Sequence, residues 1–265
     1  LVFLTAFALA LIFTPIAIKI APKIGAVDVP KDDRRMHTKP VPRFGGLAIF
    51  IGTTTALIFT VYGVLPMYQK YFAEAYPGAE VIDQPVSKMT GVIVGGVLIY
   101  ILGVVDDLKG MPAKVKLLGQ LVCGGVAYYF GVRINFVTNH FSALTDHIFF
   151  SGAISLVITL IWIAGITNTV NLIDGLDGLS SGISSIASLC LAYTAYIHGA
   201  YLTAFAMLAL AGGALGFERR GGKLCIVHSV SLPLDFLTIC YYNTIKSICK
   251  VYLSHSCHAN FIWRK

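Results

Sequence analysis

Charge is what this sequence has least of. Lys, Arg, Asp and Glu together make up 12% of its 265 residues, about half the share found in a soluble domain. Hydrophobic residues make up 56%, and the mean hydropathy is +0.77. A soluble fold could not hide so much apolar surface, and a disordered chain needs the opposite composition, so both classes are excluded. The six cysteines form neither a CxxC pair nor an even ladder, and Cys123 and Cys190 read as small core residues inside apolar runs. No initiator Met opens the chain and no small-residue cleavage site follows the first apolar run. The true N-terminus is therefore expected to lie upstream of Leu1.

Long apolar runs are what is present. A helix needs about 20 apolar residues to cross about 30 Å of hydrocarbon. Seven runs qualify: Leu1–Ile18, Gly45–Leu65, Thr90–Val105, Val115–Val132, Gly152–Thr167, Gly182–Ile197 and Ala200–Phe217. They are continuous rather than alternating, which argues against spanning strands. Small residues recur in them, as helix packing in lipid requires. The expected fold is an all-α polytopic membrane bundle of about seven transmembrane helices. Residues 133–151 are expected to form a short external hairpin.

The connecting loops differ in charge. Residues 19–44 hold seven basic groups, Lys19, Lys23, Lys31, Arg34, Arg35, Lys39 and Arg43, whereas 66–89 hold two basic and three acidic groups. Lys109, Lys114 and Lys116 follow the third run, only Arg133 follows the fourth, and Arg219, Arg220 and Lys223 follow the seventh. By the positive-inside rule the odd-numbered loops are cytoplasmic and the N-terminus lies outside. The net charge of +7 then points to anionic headgroups or anionic substrates, and not to nucleic acid.

The polar residues that need a reason all fall on that one side. Asp106 and Asp107 end the third run. Two adjacent carboxylates repel each other, and either one near apolar surroundings costs a few kcal/mol. A divalent cation removes that cost, and Mg²⁺ takes one or two carboxylates with water and phosphate oxygens. Lys109 is placed to hold a phosphate oxygen. An ordinary solvated helix-capping loop is the plainer account of the same residues. After the fifth run, Asn168, Asn171, Asp174 and Asp177 recur every third position, so on a helix they stay neighbours. Amides suit hydrogen bonds to a base, ribose or sugar, and carboxylates suit metal. Interhelical polar packing is the plainer account there. The basic loop Arg34–Arg43 carries Pro40 and Pro42 and leads into Gly45-Gly46, a stiff cationic segment suited to a diphosphate or to lipid headgroups. Together these features describe phosphoryl chemistry at a membrane surface. A transporter would need carboxylates near mid-span, and here they sit at span ends.

Three stretches carry a family resemblance: DRRMHTKPVPRFGG (33–46), GVVDDLKGMPAKVKLLGQ (103–120) and GITNTVNLIDGLDGLSSG (165–182). With them the chain resembles the polyprenyl-phosphate N-acetylhexosamine-1-phosphate transferases, which include the MraY, WecA and TagO enzymes. It looks closer to TagO and WecA. The resemblance implies transfer of a sugar-1-phosphate, with UDP-GlcNAc as the expected donor, to undecaprenyl phosphate with release of UMP. This would begin a teichoic acid or another surface glycan at the bacterial plasma membrane. The implied cofactor is Mg²⁺, with Mn²⁺ as the other candidate. Asp106, Asp107 and Asp174 would lie at the catalytic centre, with Asp107 and Asp174 on the metal and Asp106 deprotonating the lipid phosphate. Lys39, Arg43, Lys109, Asn168, Asn171 and Asp177 would contact substrate. Oligomeric state is not implied.

The resemblance covers residues 1–217, the expected membrane domain. Family members continue with NPAKxFMGDxGS and a His-rich loop, whereas this chain reads ERRGGKLCIVHSVSLPLDF from Glu218. Residues 1–217 hold two cysteines and residues 218–265 hold four, Cys225, Cys240, Cys249 and Cys257. Residues 225–245 would make a poor eighth span, and His255, Cys257 and His258 a weak metal set. Residues 218–265 are expected to be an aberrant or divergent tail, read out of frame, which would leave the chain an inactive remnant or a non-catalytic homologue. Resequencing the coding DNA across codon 217 should reveal an alternative frame encoding FMGD; its absence would refute the frameshift.

Overall fold

The computed structural model describes residues 1–28, 41–42, 44–67, 70, 86–138, 147–173, 179–197 and 200–221. Among them all seven apolar runs are helices. They are α1 (Val2–Ile20), α2 (Gly46–Ile58), α3 (Val86–Lys109), α4 (Ala113–Tyr129), α5 (Gly152–Ile173), α6 (Leu179–Ile197) and α7 (Tyr201–Gly221). α2 continues through a π-helical stretch, Phe59–Val64, where the Thr60 hydroxyl donates to the Ala56 carbonyl at 2.7 Å. Five helices are long and apolar enough to cross a membrane: α1, α2 with its continuation to Met67, α3, α5 and α7. α4 has 17 residues, among them Lys114 and Lys116. α6 carries buried Ser180, Ser181, Ser184, Ser185 and Ser188 along one face.

α7 is the central helix. It packs against α1, α2 and α6, and most of its residues from Leu202 to Phe217 are buried, with Phe205 exposed. A helix that is apolar all round belongs in a bundle interior. Close approach is what makes the packing work. The row Ala6, Ala10, Thr14 and Ala17 is the buried face of α1. Gly212 and Gly216, four apart on α7, lie against the backbone carbonyls of Phe3 and Phe7, and a Cβ at either glycine would collide with them. Gly52 of α2 meets the Ala6 carbonyl in the same way, at 2.7 Å from an added Cβ. This small-residue contact is the mode expected where lipid removes the hydrophobic drive between helices. Because residue 3 faces 212 and residue 7 faces 216, α1 and α7 run parallel.

α3, α4 and α5 form a second group, in which α3 packs on α4 and α4 on α5. The two groups are joined thinly. α5 and α6 make few contacts, as do α2 and α3. α2 meets α3 through a Phe50–Tyr100 ring stack and a Tyr62–Thr90 hydroxyl hydrogen bond of 2.7 Å.

Two small antiparallel pairs occur in connections. Val27–Asp28 (β1) pairs with Val41–Pro42 (β2). Phe136–Thr138 (β3) pairs with His147–Phe149 (β4), the hairpin expected within 133–151. It is tied to α5, since the Thr159 hydroxyl accepts from Ile134 N–H at 2.9 Å and the Ser155 hydroxyl donates to the Ile134 carbonyl at 2.7 Å. One cysteine expectation is corrected: Cys123 is buried, but Cys190 is exposed. It sits on the outer face of α6, beside exposed Leu189, where an apolar run has lipid-facing positions as well as core ones. α7 runs unbroken to Gly221, past the point where the motif resemblance stops. The proposed eighth span and the His255, Cys257, His258 set lie outside the described residues.

The backbone contact yields a paired prediction. Gly212→Ala drives a Cβ into a carbonyl and should cost about 1–3 kcal/mol. Gly96→Ala meets nothing within 4 Å and should be neutral or stabilising by up to about 1 kcal/mol. Thermal midpoints in detergent should separate the two; equal midpoints would mean that α1 and α7 are not in backbone contact.

Candidate functional site

The three motif stretches lie at connections between helices, α1 to α2, α3 to α4 and α5 to α6, and alternation of helix direction brings these to one end of the bundle. Contacts between neighbours agree. Lys116, early in α4, reaches Asp106, late in α3. Tyr128, at the far end of α4, donates to the Gly152 carbonyl at the start of α5, at 2.9 Å. An added Cβ on Gly182 of α6 would lie 3.7 Å from the Glu218 carboxylate of α7.

Asp106 organises the tightest of these connections. Its backbone carbonyl accepts from Gly110 N–H at 2.8 Å. Gly110 has φ +64, the left-handed geometry that closes helix C-termini and that glycine adopts without strain. Its Oδ1 accepts from Met111 N–H at 2.9 Å, and its Oδ2 pairs with Lys116 Nζ at 2.7 Å. Pro112 then caps α4 at the N-terminus. One residue therefore stops α3, shapes the turn and anchors α4. Carboxylates at a helix C-terminus face the negative end of the macrodipole, an unfavourable placement by about 0.3–1 kcal/mol each. Lys116, and Lys109 in the last turn, offset this. Each oxygen of Asp106 thus has one fixed partner, which gives the residue an architectural part in the turn and leaves each oxygen a further acceptor site.

Asp107 is the next residue on the same turn, half-buried. Lys109 is exposed beside it. Asn168, in the last turns of α5, has a different environment from the one expected. Its Nδ2 donates to Gln120 Oε1 at 2.8 Å and to the Ala164 carbonyl at 2.7 Å, and Gln120 Nε2 returns a 3.4 Å bond to its Oδ1. Gln120 is 1% exposed. This reciprocal amide pair fastens α4 to α5, the polar-packing alternative for Asn168. Lys116 and Gln120 are one turn apart on α4, so the ion pair to α3 and the amide pair to α5 stack along one face. Asn171, half-buried one turn beyond Asn168, falls at the level of Lys116 and Asp106. Lys39, Arg43, Asp174 and Asp177 lie outside the described residues.

Two residues of this arrangement were overlooked in the sequence. Gln120 is a lone amide inside an apolar run, and an intramembrane polar group needs a partner. Lys116 follows Asp106 by ten residues with Gly110 and Pro112 between, a turn signature. Both were readable signals.

Comparison with known proteins accords with this architecture. The family described as glycosyl transferase family 4 matches residues 89–220, from α3 to the end of α7. A Bacillus subtilis (strain 168) protein named probable undecaprenyl-phosphate N-acetylglucosaminyl 1-phosphate transferase is 38% identical over 215 residues, 81% of this chain and 53% of that protein. The decaprenyl-phosphate N-acetylglucosaminephosphotransferase of Mycolicibacterium smegmatis is 33% identical over 113 residues, 43% of this chain and 24% of its own length. That of Mycobacterium leprae is 31% identical over 132 residues, 50% of this chain and 30% of its own length. The chain spans about half the length of the Bacillus relative and less of the mycobacterial ones.

The Asp106 clamp can be tested by stability. Asp106→Asn keeps an acceptor for Met111, and the freed Lys116 can extend to water. Lys116→Met strands a carboxylate that is 17% exposed and should cost about 1–3 kcal/mol, the more damaging of the two. The reverse order in thermal unfolding would dismiss the ion pair as a determinant of the turn. The family match and these relatives place the chain in glycosyl transferase family 4, with the polyprenyl-phosphate N-acetylhexosamine-1-phosphate transferases that its sequence resembles.

Proposed function

We propose that this chain carries the catalytic end of an enzyme that transfers GlcNAc-1-phosphate from UDP-GlcNAc to undecaprenyl phosphate and releases UMP, at the cytoplasmic face of a bacterial plasma membrane. The observation that carries the proposal is the difference between adjacent carboxylates: Asp106 is engaged by Lys116 and Met111, and this fixes Asp107 on the locked turn between α3 and α4. The named relatives and the positive-inside pattern support the substrates and the face.

Mg²⁺ is the proposed ion, because it takes one or two carboxylates and completes its shell with water and phosphate oxygens. Asp107 would hold the ion, with Asp174 as its proposed second carboxylate. The bound ion would neutralise charge on the diphosphate as the leaving UMP forms. Lys109, Lys39 and Arg43 would neutralise the remaining phosphate oxygens, and Asn171 and Asp177 would orient the nucleotide. The attacking group is the phosphate of the lipid. A phosphate monoester loses its second proton near pH 6, so at neutral pH it is already largely dianionic. A general base is then worth little, and the commitment of Asp106 to the turn costs the reaction little.

The test is UMP release from membranes containing the chain, supplied with undecaprenyl phosphate and UDP-GlcNAc. Release should require Mg²⁺ and stop with EDTA. Asp107→Asn should lower it about a hundredfold or more. No release from the wild-type chain would favour a non-catalytic membrane homologue instead.

A further inference from the structure

Tyr100 is the buried polar group that this account leaves unused. It lies on α3 seven residues before Asp107, two turns or about 10 Å along the axis, so the two share a face. Its ring stacks on Phe50 of α2 with centroids 4.1 Å apart and planes within 5°. The residue is 8% exposed, and its hydroxyl has no hydrogen-bond partner among the described residues. A buried hydroxyl without a partner costs about 1–3 kcal/mol, and lipid offers none from outside.

Packing alone explains the ring and not the oxygen. A phenylalanine would make the same stack, as Phe50 does from the other side. Thr53, Ser180 and Ser188 also carry buried hydroxyls without partners, but a short hydroxyl can rotate back onto its own helix carbonyls. A phenol cannot reach its own backbone. Its donor needs an acceptor brought from elsewhere, on the face of α3 that Tyr100 shares with Asp107.

We propose that the Tyr100 hydroxyl donates a hydrogen bond to a phosphate oxygen of a substrate bound beside Asp107, with the Phe50–Tyr100 stack as the apolar wall beneath it. This assignment rests on the phosphoryl-transfer reading of the site. Two substrates of that reaction carry phosphate, the lipid monophosphate and the nucleotide-sugar diphosphate. The position of Tyr100, deeper along α3 than the carboxylates, favours the lipid one. Tyr100 is then a residue that selects a phosphorylated lipid over the uncharged alcohol.

Tyr100→Phe isolates the oxygen, because it keeps the stack and removes only the donor. Binding to the purified full chain in detergent would be titrated by native mass spectrometry with undecaprenyl phosphate, undecaprenol and UDP-GlcNAc. The variant should bind undecaprenyl phosphate about tenfold or more weakly, the loss expected for a hydrogen bond to a charged acceptor. Undecaprenol binding should not change, and the melting temperature should hold or rise. A selective loss of UDP-GlcNAc binding instead would keep the phosphate contact and assign it to the diphosphate. Equal binding of all three probes by variant and wild type overturns the proposal, as does a wild-type chain that binds neither phosphate probe. If phosphate binding falls in the variant but neither protein releases UMP, the reaction assignment fails while the contact stands. If UMP is released with the same KM values by both, the contact fails while the reaction stands.

Discussion

The active end of this bundle depends on the solvation of two carboxylates at a place where water is scarce and the helix dipole is unfavourable. The chain meets that constraint by tying one of them down completely. Asp106 gives its carbonyl to Gly110, one oxygen to Met111 and the other to Lys116. What looks in the sequence like a matched pair is therefore asymmetric in its surroundings, with Asp106 tied into the turn by Met111 and Lys116. The asymmetry has a mechanical benefit. Asp107 sits on a turn whose exit is locked on three sides, so its position is set by the fold and needs no ligand to fix it.

The same face of α4 extends the lock to α5. Lys116 holds α3 and, one turn on, Gln120 holds Asn168. The two fastenings differ in character. The ion pair is partly exposed and weakens in salt, whereas the amide pair is neutral and indifferent to it. α3, α4 and α5 are thus registered by polar groups, while α1, α2 and α7 are registered by close backbone approach at Gly52, Gly212 and Gly216. The two groups meet through an aromatic stack and a hydroxyl pair, with little close packing between them.

Much of this was legible in the sequence, for identifiable reasons. Run length and continuity placed all seven helices, because in lipid the backbone must satisfy itself and apolar length leaves few alternatives. The polar motifs marked the connections α1 to α2, α3 to α4 and α5 to α6. The partners of those motifs were not legible. The spacing of Asn168 in a row with Asn171 suggested a ligand-facing group, and it is Gln120, 48 residues away, that occupies it. Cys190 shows the same limit from the apolar side: a run identifies a span but not which of its faces meets lipid. Tyr100 looked like one more apolar residue, and only the burial of its hydroxyl without a partner distinguishes it.

The parallel contact between α1 and α7 also constrains the order in which the protein can be assembled. Among the described helices α1 finds its main neighbour only when α7 is made, some 200 positions later in the sequence. Until then the face Ala6, Ala10, Thr14 and Ala17 lies open in the membrane, with only α2 to cover part of it. α3, α4 and α5 can settle early, since each packs on its sequence neighbour. The glycines of α7 close the other half afterwards, so synthesis of α7, rather than insertion of α1, is the step at which the contact between them forms.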